Sequence, residues 1–167
     1  MKKPTSLSAE CRVHSGQEPI SIDHVVIASS DLERSAAFYR EVLGVTVISA
    51  TPNFHQYRLS GQMLNVHGPG LVDATDPSML ARLPVRPGGS DLCFRWPGDI
   101  ADACAHLDRC GVVVQTGPCQ RSGARGAGVS VYFRDPDGTL LEFITYPAED
   151  RGASGVPGVM AESSDLG

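Results

Sequence analysis

The strongest constraint on the fold is an order of one strand, one helix and three strands that occurs twice along the chain. The spacing repeats as well: His24 lies 20 positions before Gly44, and Asp91 lies 20 positions before Gly111. A repeated supersecondary unit predicts two similar modules, each burying one sheet face under its own helix. We therefore predict an α+β fold of paired βαβββ modules that form an open, incomplete barrel.

The predicted domain covers residues 20–146, with modules at about 20–67 and 90–146. The segment between them, 68–89, is rich in Gly and Pro and is predicted to be a linker. Residues 1–19 and 147–167 lack hydrophobic periodicity. We expect them to be flexible tails, because they cannot bury enough surface to offset the entropy of ordering.

Local signals place the elements within each module. Ser30 and Glu33 form a capping-box pattern at the start of the first helix. In the second module, residues 112–116 (VVVQT) read as a strand, and the following QRSGARGAG segment as a Gly-rich loop. Residues 135–138 (DPDG) predict a hairpin turn between the last two strands.

Composition excludes several classes of function. The net charge is −5, from 14 basic and 19 acidic side chains, and no basic stripe with aromatic residues is present, so we expect no nucleic-acid partner. The apolar runs are too short to span a bilayer, so we expect no membrane partner. Five cysteines without a CxxC pair indicate a reducing compartment, which predicts a cytoplasmic protein.

The last strand, TLLEFITY, carries a carboxylate among aliphatic side chains. Alternation places Leu141 and Phe143 on one face, and Glu142 with Leu140 and Ile144 on the other. An unpaired ion buried there would cost several kcal/mol, so Glu142 is expected to have a partner. The corresponding faces of the other strands carry further polar side chains: His24, Asn65, His67, Asp91 and Arg95.

Imidazoles and a carboxylate on equivalent faces predict a metal site. Two His and one carboxylate leave positions open for water and substrate, and N and O ligands suit Fe, Mn, Ni, Co or Zn ions. Two simpler readings stay open. The face could be the solvated side of an antiparallel sheet, or the His and Glu could form a buried ion pair.

Several segments resemble the vicinal oxygen chelate superfamily, which includes glyoxalase I, fosfomycin- and bleomycin-resistance proteins and extradiol dioxygenases. They are IDHVVIASSDLERSAAFYREVLGV, QMLNVH, GSDLCFRW and VSVYFRDPDGTLLEFITY. The similarity covers about residues 20–146 and looks closest to a glyoxalase-domain-containing, virulence-related subgroup. It implies that the paired modules curl around one metal ion.

The resemblance also implies where the ligands lie. His24 and Glu142 match the family's first and last ligand positions. Asp91 stands where many members have His, and Asn65 stands where glyoxalase I has Glu. The third ligand is therefore left open: His67 takes the role, Asp91 takes it, or the metal is lost.

These observations predict a divalent-metal-dependent enzyme that chelates vicinal oxygens of a small substrate, with lyase or dioxygenase chemistry. The alternative is a metal-free small-molecule or drug-binding protein like the bleomycin-resistance proteins. A homodimer is expected, and the site could lie within one chain or between two. The predicted roles are Glu142 and Asp91 in catalysis, His24, His67 and Glu142 as metal ligands, and Arg121, Arg125 and Asn65 in substrate binding.

Overall fold

A computed structural model describes residues 20–147 of the 167-residue chain. The predicted tails lie outside these residues, apart from Pro147. The first module contains β1 (His24–Ala28), α1 (Leu32–Leu43), β2 (Thr46–Thr51), β3 (Phe54–Arg58) and β4 (Met63–His67). The second contains β5 (Asp91–Arg95), α3 (Ile100–Arg109), β6 (Thr116–Gly123), β7 (Gly126–Arg134) and β8 (Leu140–Thr145), and between the modules lie α2 (Leu71–Ala74) and a 3-10 turn (Pro77–Met79).

Each module forms one mixed four-stranded sheet, so the predicted α+β class with two βαβββ units is confirmed. The first sheet, sheet A, has the order β1-β4-β3-β2, and the second, sheet B, has the order β5-β8-β7-β6. The first and last strands of each module pair in parallel, and the other neighbours are antiparallel. Both sheets stay open, and the strands of residues 20–147 form no closed barrel.

The helix-covered faces of both sheets contribute to one continuous core. Tyr39 of α1 and Leu107 of α3 are fully buried in it, as are Val66 of sheet A and Leu141 of sheet B. His106 of α3 also contacts the first module, since its Nε2 lies 2.9 Å from the carbonyl oxygen of Val42. Because the covered faces share one core, the uncovered faces, here called the open faces, turn away from each other.

Asp137, in the β7–β8 turn, joins the second module to the start of α1. Its carboxylate accepts hydrogen bonds from the Ser29 hydroxyl at 2.7 Å and from the Ser30 backbone N–H at 3.0 Å. It also accepts from the Ser30 hydroxyl and from Arg34 Nη2, the latter at 2.9 Å. Only 6% of the Asp137 side chain is exposed, so these four donors stabilise a nearly buried charge.

The predicted Ser30 capping box at the start of α1 was wrong. Asp31 is the N-cap residue, and its side chain accepts from the Arg34 backbone N–H at 3.0 Å. The Ser30 hydroxyl bonds Asp137 instead. A contact between residues more than a hundred positions apart therefore replaced the local pairing that the sequence pattern indicates.

The predicted strand at residues 112–116 was also wrong. Residues 112–115 lie outside the sheet ladders, and β6 begins at Thr116 and continues through Gly123. Val112 and Val114 pack against the core, which explains why this segment is apolar although it is not a strand. The segment predicted as a Gly-rich loop instead pairs with β7, from Cys119 opposite Ser130 to Gly123 opposite Gly126.

Two further features concern the cysteines and the helices. The four cysteines of the described residues are all free thiols. Among residues 20–147, none of the helices has the length and apolar character that a membrane-spanning helix needs.

Replacing Asp137 should weaken the joint between the modules. We expect Asp137→Ala to lower the free energy of unfolding by about 2–3 kcal/mol, because four donors lose a nearly buried charged acceptor. Asp108→Ala, on the exposed surface of α3, is the control and should change it by less than about 0.5 kcal/mol. Urea unfolding measures both, and equal effects of the two substitutions would contradict the role given to Asp137.

The same carboxylate predicts a pH dependence of stability. Burial alone would raise the pKa of Asp137, but hydrogen bonds from Ser30 and Ser29 and the charge of Arg34 outweigh it and hold this pKa below its ordinary value. The stabilisation is thus present above the unfolded-state pKa of about 3.9 and is lost as the pH falls through the folded-state pKa. The stability difference between wild type and Asp137→Asn should be constant from about pH 7 to 5 and shrink below about pH 4. A difference that stays constant down to pH 2 would refute this.

Candidate functional site

Glu142 lies in a row of polar side chains that crosses the open face of sheet B. The strand register places Cys93 of β5 and Tyr132 of β7 directly beside Glu142 of β8. Arg121 of β6 completes the row, with its Nε donating to the Tyr132 hydroxyl at 2.8 Å. We call these four residues the Glu142 row.

Glu142 is half-buried, and the two side chains next to it can both donate to it. Burial raises the pKa of the Cys93 thiol to about 12, with further contributions from the charge of Glu142 and a hydrogen bond to it. Burial also raises the pKa of Tyr132; a hydrogen bond from Arg121 opposes the shift, and the charge of Glu142 adds to it. Thiol and phenol therefore both stay protonated at neutral pH, and each can donate to the carboxylate.

A groove of about 940 Å³ begins at Glu142 and extends along the edge of sheet B towards the first module. Arg95 and Arg125 also line the groove, so it contains two cationic groups as well as the carboxylate. Its far wall contains the Trp96 ring, whose centroid lies 5.0 Å from the centroids of both Phe143 and His106. The groove can hold a small molecule that combines an anionic group with an apolar part.

On the open face of sheet A, His24 lies beside Asp23, with 2.8 Å between His24 Nδ1 and the Asp23 carboxylate. When His24 carries its proton on Nδ1 it donates to Asp23, and the lone pair on Nε2 is left to bind a metal ion. The neighbouring apolar side chains are exposed, Ile22 by 66% and Val26 by 39%. Exposed aliphatic side chains therefore lie on both sides of this histidine in the sequence.

Of the other two predicted site residues of sheet A, His67 lies apart from His24, whereas Asn65 pairs with Val26 and is diagonal to His24 across the β1–β4 ladder. His24 pairs with Met63, whereas His67 pairs with Ala28, four residues and about 13 Å farther along the ladder. Burial lowers the pKa of His67, whose ring packs 6.1 Å from that of Phe54. The Asn65 side-chain oxygen accepts from Gln56 Nε2 at 3.0 Å.

No group of three His, Cys, Asp or Glu side chains within residues 20–147 is close enough to hold one metal ion. The packing explains this result, because His24 and Glu142 lie on open faces that point in opposite directions. Asp91 lies on the same face of sheet B as Glu142. The two residues are diagonal neighbours across the β5–β8 ladder, with about 7–8 Å between their Cβ atoms. One copy of the chain thus places Asp91, Glu142 and Arg121 on the open face of sheet B, and the two histidines on sheet A.

Three residues of the site were not predicted as functional. Tyr132 and Cys93 are not among the residues that the sequence analysis assigns a role, yet both share the face of Glu142. Asp23 directly precedes His24, and a carboxylate next to a candidate ligand is a signal that the sequence contains. Only the pairing of strands shows that Cys93 and Tyr132 flank Glu142.

The chain belongs to the glyoxalase/bleomycin resistance protein/dioxygenase superfamily, whose family model matches residues 21–143. The predicted resemblance is therefore confirmed.

Individual relatives agree with this assignment. The glyoxalase domain-containing protein RDO1 of Mycosarcoma maydis is 36% identical over 126 residues, which are 75% of this chain and 68% of the relative. Virulence protein STM3117 of Salmonella typhimurium is 35% identical over 125 residues, which are 75% and 83% of the two chains. The crystal structure of STM3117 superposes with a TM-score of 0.68 over 78% of this chain and 99% of that one, at 33% identity. An integron cassette protein from the mobile metagenome of V. cholerae gives the same TM-score at 35% identity, over 78% and 98%.

The Glu142 row predicts how Cys93 reacts with alkylating agents. Glu142→Gln removes the charge that helps to raise the thiol pKa, so more thiolate forms at a given pH. At pH 8 we expect iodoacetamide to modify Cys93 about threefold faster or more in this variant than in wild type, measured by peptide mass spectrometry. Glu41→Gln, on α1 of the other module, should leave the Cys93 rate unchanged. An unchanged rate in Glu142→Gln would mean that the carboxylate does not act on the thiol.

Proposed function

We propose that this chain is a divalent-metal-dependent enzyme of the glyoxalase/dioxygenase type, and that its site is assembled between two copies. The observation that carries the proposal is the position of Glu142, a carboxylate flanked by donors in a groove on one open sheet face. In the other module, β1 presents His24 beside the exposed aliphatic side chains of Ile22 and Val26. An ion can contact both Glu142 and His24 only when the open face of sheet A in one copy meets the open face of sheet B in another.

A homodimer also accounts for the exposed apolar surface. Ile22 and Val26 surround His24 on sheet A, and covering them with a second copy removes aliphatic surface from water. Two-fold symmetry would form two equivalent sites, each with His24 from one copy and Glu142 from the other.

The strand register favours Asp91 over His67 as the third group at the site. Asp91 lies within reach of an ion beside Glu142, whereas His67 lies about 13 Å along the ladder from His24. Bound to this set, an Fe, Mn, Ni, Co or Zn ion would act as a Lewis acid on two adjacent oxygens of a small substrate. If Asp91 does not bind the ion, its alternative role is that of the base that removes a proton from the substrate.

The arginines around Glu142 indicate an anionic substrate. Arg125 lines the groove with Glu142, and Arg121 lies two strands from it in the same row. Guanidinium groups bind carboxylate or phosphate oxygens in pairs, which would orient the substrate for lyase or dioxygenase chemistry.

A metal-free binding protein is the second candidate. The groove favours it, because it offers an aromatic wall at Trp96 and cationic groups at Arg95 and Arg125 within one copy. A wild-type protein that contains no metal but is stabilised by a diketone, a catechol or a thiol adduct in a thermal-shift screen would support this candidate over the enzyme.

Mixing two inactive variants tests whether the site lies between copies. His24→Ala and Glu142→Ala should each abolish metal binding, whereas Glu33→Ala, at an exposed position of α1, should not. A mixed dimer of the two inactive variants retains one intact site. Equal co-expression should therefore restore about one quarter of the wild-type metal content, measured by elemental analysis of the purified protein.

Two results would count against this proposal. Unchanged metal content in Glu142→Ala would remove this residue from the ligand set. A mixture that binds no more metal than the single variants would exclude a site divided between copies.

A further inference from the structure

The Glu142 row contains a hydrogen bond between Arg121 and Tyr132 that the proposed ligand set does not use. Arg121 Nε donates to the Tyr132 hydroxyl oxygen at 2.8 Å, and the guanidinium carbon lies 5.4 Å from the centroid of the same ring. A second nitrogen, Nη1, donates to the Gln120 carbonyl oxygen at 2.9 Å and holds the guanidinium in this orientation. Arg121 is thus fixed by two contacts with Tyr132 and one with Gln120.

The chemistry of Arg121, Tyr132 and Glu142 gives their hydrogen bonding one direction. An arginine can only donate, and an ionised carboxylate can only accept. The Tyr132 hydroxyl belongs to the side chain opposite Glu142 in the β7–β8 ladder, so it lies on the same sheet face as the carboxylate. Since its oxygen accepts from Arg121, its single proton is left to point at Glu142.

We propose that Tyr132 is a positioning residue for Glu142, and that Arg121 acts on Glu142 through Tyr132. The hydroxyl holds one carboxylate oxygen and thereby fixes the orientation in which Glu142 presents its remaining lone pairs to the groove. Arg121 keeps the hydroxyl proton directed at the carboxylate. The role of Arg121 is therefore to orient Glu142, while Arg125 is the arginine that binds substrate.

This inference rests on the proposed function only in taking Glu142 as the chemical centre of the site, and it can be tested without a metal. The carboxyl carbon of Glu142 reports on its hydrogen bonds in ¹³C NMR, and its signal is assigned by its loss in Glu142→Gln. Tyr132→Phe removes one oxygen from an open sheet face, so the fold should persist, which circular dichroism checks. We expect the Glu142 signal to shift in Tyr132→Phe and in Arg121→Gln. In the double variant, Arg121→Gln should add nothing to the shift caused by Tyr132→Phe.

Arg121→Lys separates a directed hydrogen bond from a general effect of charge. Lysine keeps the positive charge but lacks the Nε–H that bonds the hydroxyl, so it should shift the signal as Arg121→Gln does. Arg109→Gln, at the exposed end of α3, should leave the signal unchanged. A wild-type signal in Tyr132→Phe, a shift in Arg121→Gln that persists without the hydroxyl, or an unchanged signal in Arg121→Lys would each overturn the proposal.

Cobalt binding adds a readout of position. If the wild type binds Co²⁺, Tyr132→Phe should weaken binding about tenfold or more and change the visible ligand-field spectrum, as loss of a group that orients a ligand does. Equal Co²⁺ affinity and identical spectra in the two proteins would overturn the positioning role. A wild type that does not bind Co²⁺ would count against the metal site, and the NMR comparison would still decide the role of Tyr132.

Discussion

The shared core between the two modules determines where every functional side chain can point. In each module the helix covers one face of the sheet, and the two covered faces meet in one buried cluster. Asp137 and its donors at Ser29, Ser30 and Arg34 hold this arrangement at the edge of the core, and Tyr39 adds a buried hydrogen bond to Asp135 at 3.1 Å. A chain packed in this way presents the open faces of its two sheets outwards, so completing a site across both faces requires a second copy.

Much of this fold can be predicted from the sequence, because alternation and helical periodicity are local. The faces assigned to β1, β4, β5 and β8 agree with the buried positions, including Leu64, Val66 and Phe143. The errors occurred where a distant contact decided the outcome. Ser30 bonds Asp137 rather than capping α1, and the glycines of residues 123–128 allow close strand pairing where composition indicates a loop.

The site was less predictable than the fold, for the same physical reason. Residue type and alternation identify Glu142 and His24, but the distance between two ligands depends on which strands pair and in what register. The parallel β1–β4 register places His67 about 13 Å from His24, which no spacing along the sequence reveals. The neighbours of Glu142 are likewise set by pairing: Cys93 and Tyr132 lie 49 and 10 residues away in sequence, yet they adjoin it on the sheet.

The surroundings of Glu142 also change the argument for a bound cation. From the sequence alone, a carboxylate in an aliphatic strand is expected to have a counter-ion, since burying an unpaired charge costs several kcal/mol. In the folded chain Glu142 is only half-buried, and the hydroxyl of Tyr132 and the thiol of Cys93 both face it. The strand can therefore hold the carboxylate without a metal. The argument for an ion then depends on His24, whose Nδ1 lies against Asp23 and whose apolar neighbours are exposed, since donors within one copy account for Glu142 but leave that surface uncovered.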